Sequence, residues 1–296
     1  MPQDREEPPL KALRGIQRSA GSHWVGNGFP VRTLFAYPEL GTALSPFLLL
    51  DYAGPVEFAP TAERLGVGEH PHRGFETVTI VYAGEVEHRD SSGGGGRIGP
   101  GDVQWMTAGS GVVHEEFHGR DFARQGGRFE MVQLWVNLPA RDKGAPPQYQ
   151  NILNRQIPVV PLPHGQGSAR VIAGALAGVR GPARTFTPLQ VWDLRLHGAA
   201  PLDLAFAEGH TAALVVLAGT VRVNGVATLG AAEVGVFGRE GRRIRVDGAE
   251  QATVLALSGA PLDEPIVGSG PFVMNSEEEI RQAMADYRSG KMGHLP

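Results

Sequence analysis

The sequence predicts an all-β protein built from two barrel or sandwich units, on three observations. Runs of β-branched and aromatic residues ("TVTIVYAG", "MVQLWVNLP", "LQVWDLRL", "ALVVLAGTVRVNG", "ATVLALSG") alternate with turn signals drawn from 41 glycines and 23 prolines. Short strands between frequent turns are the signature of such folds. A strand–glycine–strand segment occurs twice, as "TIVYAGEVEHRD" at 79–90 and "LVVLAGTVRVNG" at 214–225, which reads as a diverged repeat. The 296 residues also suffice for two domains of ordinary size, roughly 100–200 residues each.

The N-terminal stretch "MPQDREEPPLKALRG" is charged and proline-rich where a signal peptide needs an apolar core, and the longest apolar run, "AALVVLA" at 212–218, is too short to span a bilayer. The expectation is a soluble, cytoplasmic protein. The segment "GEHPHRGFETVTIVYAG" at 68–84 reads as strand, with Pro71 disfavouring helix and suiting a strand entry or an edge.

"GGGGRIGPG" carries Gly94, Gly96 and Gly99 at dinucleotide-loop spacing, but proline and glycine follow where a helix should start, so it reads as a hairpin loop. "GSG" at 109–111 lacks the pattern of a nucleophile elbow, and no serine hydrolase is indicated. The proline-rich stretch 139–168 reads as an extended connection with a boundary near residue 146, giving units 1–145 and 146–296. One helix is expected, in "NSEEEIRQAMADYRSG": Ser276 and Glu279 form a capping box, and Ile280, Ala283, Met284 and Tyr287 share a face that packs on the outside of a barrel.

The net charge of −4, from 27 basic and 31 acidic residues with no long block of either sign, provides no footprint for nucleic acid, although a protein partner is compatible with it. Cysteine is absent, which excludes disulfides, thiolate nucleophiles and zinc-finger ligand sets. Any metal must be held by nitrogen and oxygen.

Strand alternation puts His70, His72, Gly74 and Glu76 on one face if the segment is extended throughout. Some forty residues on, "PGDVQWMTAGSGVVHEEFH" offers His114 and Glu116, again two apart and on one face. A lone H-x-H on a strand is common; the second pair shifts the reading to a metal site. If the two strands are neighbours, three imidazoles and a carboxylate converge. That set suits iron, manganese, nickel, cobalt, copper or zinc, and in six-coordinate geometry leaves two positions open for a substrate oxygen and dioxygen.

His118 shares the face of His114 but lies at the strand end, and is expected to be a solvated surface histidine. For His88, in "GEVEHRD", strand position does not separate a pocket-lining role from a structural one. Gln133 and Trp135, with Trp105, Met106, Phe47 and Phe75, are candidates to line the cavity, core packing being the plainer role for the apolar members. The second unit, with His197 and His210 thirteen residues apart and neither H-x-H nor H-x-E, is expected to be metal-free.

The segments "SPFLLLDYAG", "HPHRGFETVTIVYAGEVEH", "PGDVQWMTAGSGVVHEEF", "QLWVNLP", "PPQYQ" and "GPFVMNSEEEI" follow in the order found in pirins, and the chain resembles that family over almost its full length. The resemblance implies a bicupin: two tandem cupin (jelly-roll) β-barrels with a short C-terminal helix. It also implies one metal, usually iron, in the N-terminal barrel on residues matching His70, His72, His114 and Glu116. Relative to the broader cupin pattern, the second motif has a longer turn, "TAGSGVVH", and H-x-E in place of H-x3-N, a departure shared with pirins. Glu76 stands where many cupins place a carboxylate ligand; the resemblance gives that role to Glu116 and leaves Glu76 supporting the ligands.

The function implied is that of pirin-type quercetin 2,3-dioxygenases, which insert both atoms of dioxygen into a flavonol and release carbon monoxide. Its partners are a flavonol-like small aromatic substrate and O2. Hydrogen-bond reach of the departing proton makes Glu116 the candidate base if it loosens from the metal, with Glu76 in reserve, and the sequence does not choose between them. The alternative implied by eukaryotic pirins is an iron-dependent, redox-responsive transcriptional coregulator that binds a protein. An excess of arginine over lysine, 24 of the 27 basic residues, suggests a GC-rich bacterial genome, and no nuclear-localisation cluster is present. A monomer is expected, with strand edges covered by the neighbouring barrel.

Overall fold

The computed structural model describes residues 7–295. The chain forms two compact units: one holds the residues up to Arg18 with Pro158–Gly181 and Pro188–Pro261, the other Ser19–Ile157, Pro182–Thr187 and the chain from Leu262 onward. The ends of the chain thus exchange. The strand Leu13–Arg18 pairs antiparallel with Glu233–Phe237, Gln17 opposite Val234, whereas the C-terminal helix belongs with residues 19–157. A strand's own periodicity fixes which face it buries and says nothing of its partner, so this exchange has no local signal.

The unit around residues 19–157 has two antiparallel sheets. One runs in the order Gln148–Ile152, Val103–Thr107, Phe75–Ala83, Gly127–Asn137, Phe47–Phe58, Phe29–Ala36, His23–Val25, and the other Gly66–His72, Val112–His118, Val86–Asp90, Gly95–Ile98. Phe29, Val31, Ala53, Val81 and Phe129 of the first pack with Val86 and Ile98 of the second, so the core lies between the two sheets. Neither sheet closes on itself. The hairpin expected at the glycine run is present, with Val86–Asp90 pairing Gly95–Ile98.

The stretch 139–168 is not a free extended connection. Its Gln148–Ile152 segment adds a strand against Val103–Thr107, and Val159–Pro161 pairs with Gly167–Ala173, each satisfying backbone groups that an unpaired segment would leave to solvent.

In the helix Glu277–Arg288, Ser276 Oγ accepts from the Glu279 N–H of the first turn (3.3 Å), and Glu279 Oε2 accepts from the N–H of Asn275, the residue before the cap (2.9 Å). Ile280 and Ala283 bury against Val113, Phe272, Met274 and Met292, and Tyr287 on the same face sets its ring 6.5 Å from that of Phe272 while staying partly exposed.

The other unit is a nine-stranded sheet whose interior is filled by apolar side chains, among them Trp192 stacked on Phe206 at 5.2 Å between ring centroids. The repeat is resolved differently in the two units. Its first copy turns at Gly84 and continues in another sheet, whereas its second runs on as one long strand, Thr211–Val223, with register shifts around Ala218. Among the described residues no helix is long and apolar enough to cross a membrane.

Candidate metal centre

The strand Gly66–His72 is the edge of the four-stranded sheet, where Pro71 is tolerated, and it pairs with Val112–His118 so that His70 faces His114 and His72 faces Val112. Ring centroids lie 4.2 Å apart for His70 and His114, 4.7 Å for His72 and His114 and 4.9 Å for His70 and His72. One nitrogen from each ring falls within 4.8 Å of the other two. The register slips between His114 and Glu116, which opposes Val67, leaving an extra residue in the edge strand. Bulges next to sites re-aim side chains in this way. Within the bulge His70 Nδ1 donates to the Gly68 carbonyl at 2.8 Å, which leaves Nε2 with the lone pair.

On its other side, Val112–His118 pairs with Val86–Asp90, with Glu116 opposite His88 and His114 opposite Asp90. His88, His114 and Glu116 form a second group whose ligand atoms lie within 4.8 Å, so His114 belongs to both groups. Glu116 Oε2 accepts from Gln133 Nε2 at 3.4 Å, and Gln133 Oε1 accepts from the Thr79 hydroxyl at 3.0 Å, which orients the amide toward Glu116.

His72 Nδ1, His114 Nε2 and Glu116 Oε1 are buried with no hydrogen-bond partner. Burial first, and neighbouring imidazoles second, hold the pKa of His72 and His114 well below 6.5, so both rings are neutral with a lone pair available. A buried polar atom without a partner costs about 1–3 kcal/mol, a cost that a bound cation would relieve. Three imidazoles and a carboxylate, with no thiolate, fit a divalent transition metal.

A cavity of about 360 Å³ reaches His70, His72 and Glu116. Phe29, Val31, Met131 and Trp135 provide its apolar wall, and Asp51 and Gln133 its other polar groups. Asp51 and Gln133 belong to an unbroken row of cross-strand partners on that side of the seven-stranded sheet: Thr33, Asp51, Gln133, Thr79, Gln104 and Asn151. Thr33 donates to Asp51 Oδ1 at 2.6 Å, while burial raises the Asp51 pKa above its ordinary value. Gln104 is fully buried and neither amide atom has a partner.

Asp51 is the residue that sequence reasoning missed. Its signal was an acid standing alone in the apolar run "FLLLDYA"; its address beside Gln133 depends on register.

Glu76 does not join the cluster. One extended strand from His70 to Glu76 would have carried it there, but the chain breaks at Gly74, with φ of +90° and so little room that a Cβ would meet the Val273 carbonyl oxygen at 2.0 Å. Alternation restarts at Phe75. Glu76 lies across from Thr107 and Val136, on the face opposite Thr77 and Thr79, whose partners Trp135 and Gln133 line the cavity. There it accepts from the Thr107 hydroxyl at 2.8 Å, and burial raises its pKa to about 7.

His118 is buried, not solvated. Its ring stacks on Phe129 at 4.7 Å and meets Phe58 edge-on at 4.6 Å, and Nε2 donates to the Gly28 carbonyl at 2.9 Å. The helix Arg120–Gln125, through Phe122, covers the strand end that the sequence left open.

Of the expected lining residues, Gln133 and Trp135 border the cavity. Phe75 packs between His72 and Trp135, and Met106 with Ala108 and Val112. Trp105, opposite Val78, lies on the Glu76 face, and Phe47 is buried in the core.

The two β-units, one apolar inside and one with a histidine–carboxylate cluster at a cavity, define a bicupin. Residues 28–136 match the Pirin family model and 191–293 the Pirin C-terminal cupin domain, and the chain belongs to the pirin family. It is 56% identical, over 95% of its length and 98% of the relative's, to a Pseudomonas aeruginosa protein named "Putative quercetin 2,3-dioxygenase". It is 35% identical to human pirin, over 90% of this chain and 89% of that one. A crystal structure described as quercetin 2,3-dioxygenase from Acinetobacter baumannii, 53% identical, superposes with a TM-score of 0.94 over 97% of this chain and all of the other.

Proposed function

We propose that this protein is a metal-dependent dioxygenase that opens a flavonol-like aromatic substrate with O2, both oxygen atoms entering the product and one ring carbon leaving as carbon monoxide. The observation that carries this reading is the meeting of buried, unpartnered imidazole and carboxylate atoms with a largely apolar cavity of about 360 Å³. That volume falls in the lower part of the roughly 300–1,000 Å³ range of small-molecule sites. The names of the close relatives support the same chemistry.

His70, His72, His114 and Glu116 would hold one divalent metal, iron first, with nickel, cobalt, manganese, copper and zinc as alternatives. When bound, it supplies Lewis acidity to a substrate hydroxyl and access to dioxygen. Phe29, Met131 and Trp135 exclude water around the aromatic rings. Glu116 would take the hydroxyl proton on Oε1 once that oxygen loosens from the metal, while Gln133 holds Oε2. Glu76 has no part in this, because it faces the other side of its sheet.

Protein reconstituted with Fe(II), Ni(II), Co(II), Mn(II) or Cu(II) should bleach the flavonol absorbance and evolve carbon monoxide. Absence of both signals with every metal, at confirmed occupancy, would remove the proposal.

A further inference from the structure

We infer that Asp90, His88 and His114 form a hydrogen-bond relay in which His88 is a positioning residue that fixes the ring and tautomer of His114, and is not itself a metal ligand. The inference rests on the metal reading above. His88 Nδ1 lies 3.2 Å from His114 Nδ1, and His88 Nε2 lies 3.4 Å from Asp90 Oδ2, the longest link of the chain. All three side chains are buried.

The proton positions follow from the chemistry of each group. The Asp90 carboxylate only accepts; its Oδ1 is already taken by the Ser92 N–H (2.8 Å), the Ser92 hydroxyl (2.6 Å) and the Gly94 N–H (3.0 Å), so Oδ2 is the oxygen turned to His88. His88 Nε2 therefore carries the hydrogen, and in that tautomer Nδ1 is the acceptor. The hydrogen between the two rings must then sit on His114 Nδ1. This leaves the lone pair on His114 Nε2, the nitrogen that is buried without a partner.

Both His88 nitrogens are engaged in this arrangement, which accounts for its closeness to His114 and Glu116 without making it a ligand. Tyr149 stacks on the His88 ring at 5.3 Å and 7° and so sets its plane. At the far end the glycine-rich hairpin is built around the carboxylate, since a Cβ on Gly94 would fall 2.5 Å from Asp90 Oδ2. Outer-shell partners of this kind typically change metal affinity by about 10- to 100-fold when removed.

The test is titration of the full-length apo-protein with Co(II) alone, read as dissociation constant and visible d–d spectrum, for wild type, His88→Phe, His88→Gln and Asp90→Asn. Phe keeps the stacking but accepts nothing; Gln can still accept from His114 Nδ1 through its Oε1. The relay predicts an affinity loss of about 10- to 100-fold with an altered spectrum for His88→Phe, substantial recovery in His88→Gln, and an intermediate loss for Asp90→Asn.

Wild-type affinity and spectrum in His88→Phe would overturn it. If that variant does not fold, as judged by circular dichroism, an Asp90→Asn protein indistinguishable from wild type would do the same. X-ray absorption showing one imidazole fewer around cobalt in His88→Gln would make His88 a ligand and also overturn it. Failure of the wild type to bind Co(II) would instead remove the metal reading itself.

Discussion

His70 and His114 face each other across the antiparallel ladder of Gly66–His72 and Val112–His118, their ring centroids 4.2 Å apart. Burial keeps His114 neutral with Nε2 unpartnered, so in the metal-free protein this pairing costs stability and with a cation it contributes stability. Chelation should therefore lower the melting temperature of wild-type protein. A ligand present at 100 times its dissociation constant adds about 2.7 kcal/mol. In His114→Ala the chelator should have no effect. Thermal melts with and without chelator, at fixed protein concentration, check this.

Asp51 borders the cavity, does not belong to either ligand group, and is tied to Thr33 by a 2.6 Å bond. Asp51→Asn retains an acceptor for that hydroxyl and removes a buried carboxylate, so folding stability should change by less than about 1 kcal/mol. Its expected effect is on substrate placement: KM should rise several-fold with a smaller change in kcat, measured by steady-state kinetics on the flavonol.

Glu76 has a folded pKa of about 7 against an ordinary 4.5, raised by burial. Its contribution to stability is fully present below pH 4.5 and is lost as pH rises through 7, because above that the folded state must bury a carboxylate. Glu76→Gln keeps the acceptor for Thr107 and removes this loss. The variant should match wild type near pH 4.5 and exceed it above pH 7 by at most roughly 3 kcal/mol. Its metal stoichiometry and turnover should be those of wild type. Urea unfolding at a series of pH values is the measurement.

His118 sits among Phe29, Phe58, Phe122 and Phe129 with its ring nitrogen on the Gly28 carbonyl. His118→Ala opens a cavity in that cluster and leaves the carbonyl unpaired, and should cost about 2–4 kcal/mol in denaturant unfolding. Metal stoichiometry, measured on the folded variant, should not change.

The residues legible in the sequence were those whose placement follows from alternation and local chemistry. His70 with His72, and His114 with Glu116, are pairs two apart on strands; Ser276 with Glu279 is a local capping motif. What escaped depended on register or on a break in the strand. A single turn at Gly74 sends Glu76 to the opposite face of a different sheet. Asp51 enters the site only because it lies across from Gln133, and Tyr149 reaches His88 only because a segment read as a linker pairs with Val103–Thr107. The exchange of the chain ends is equally non-local.

The most direct test of the central claim is anomalous diffraction at the metal edge from crystals of the Fe(II)-loaded protein. The account predicts one strong peak in the unit around residues 19–157, within about 2.0–2.3 Å of a nitrogen of each of His70, His72 and His114 and of an oxygen of Glu116. No peak there at confirmed iron content, or a peak ligated by other residues, would contradict it.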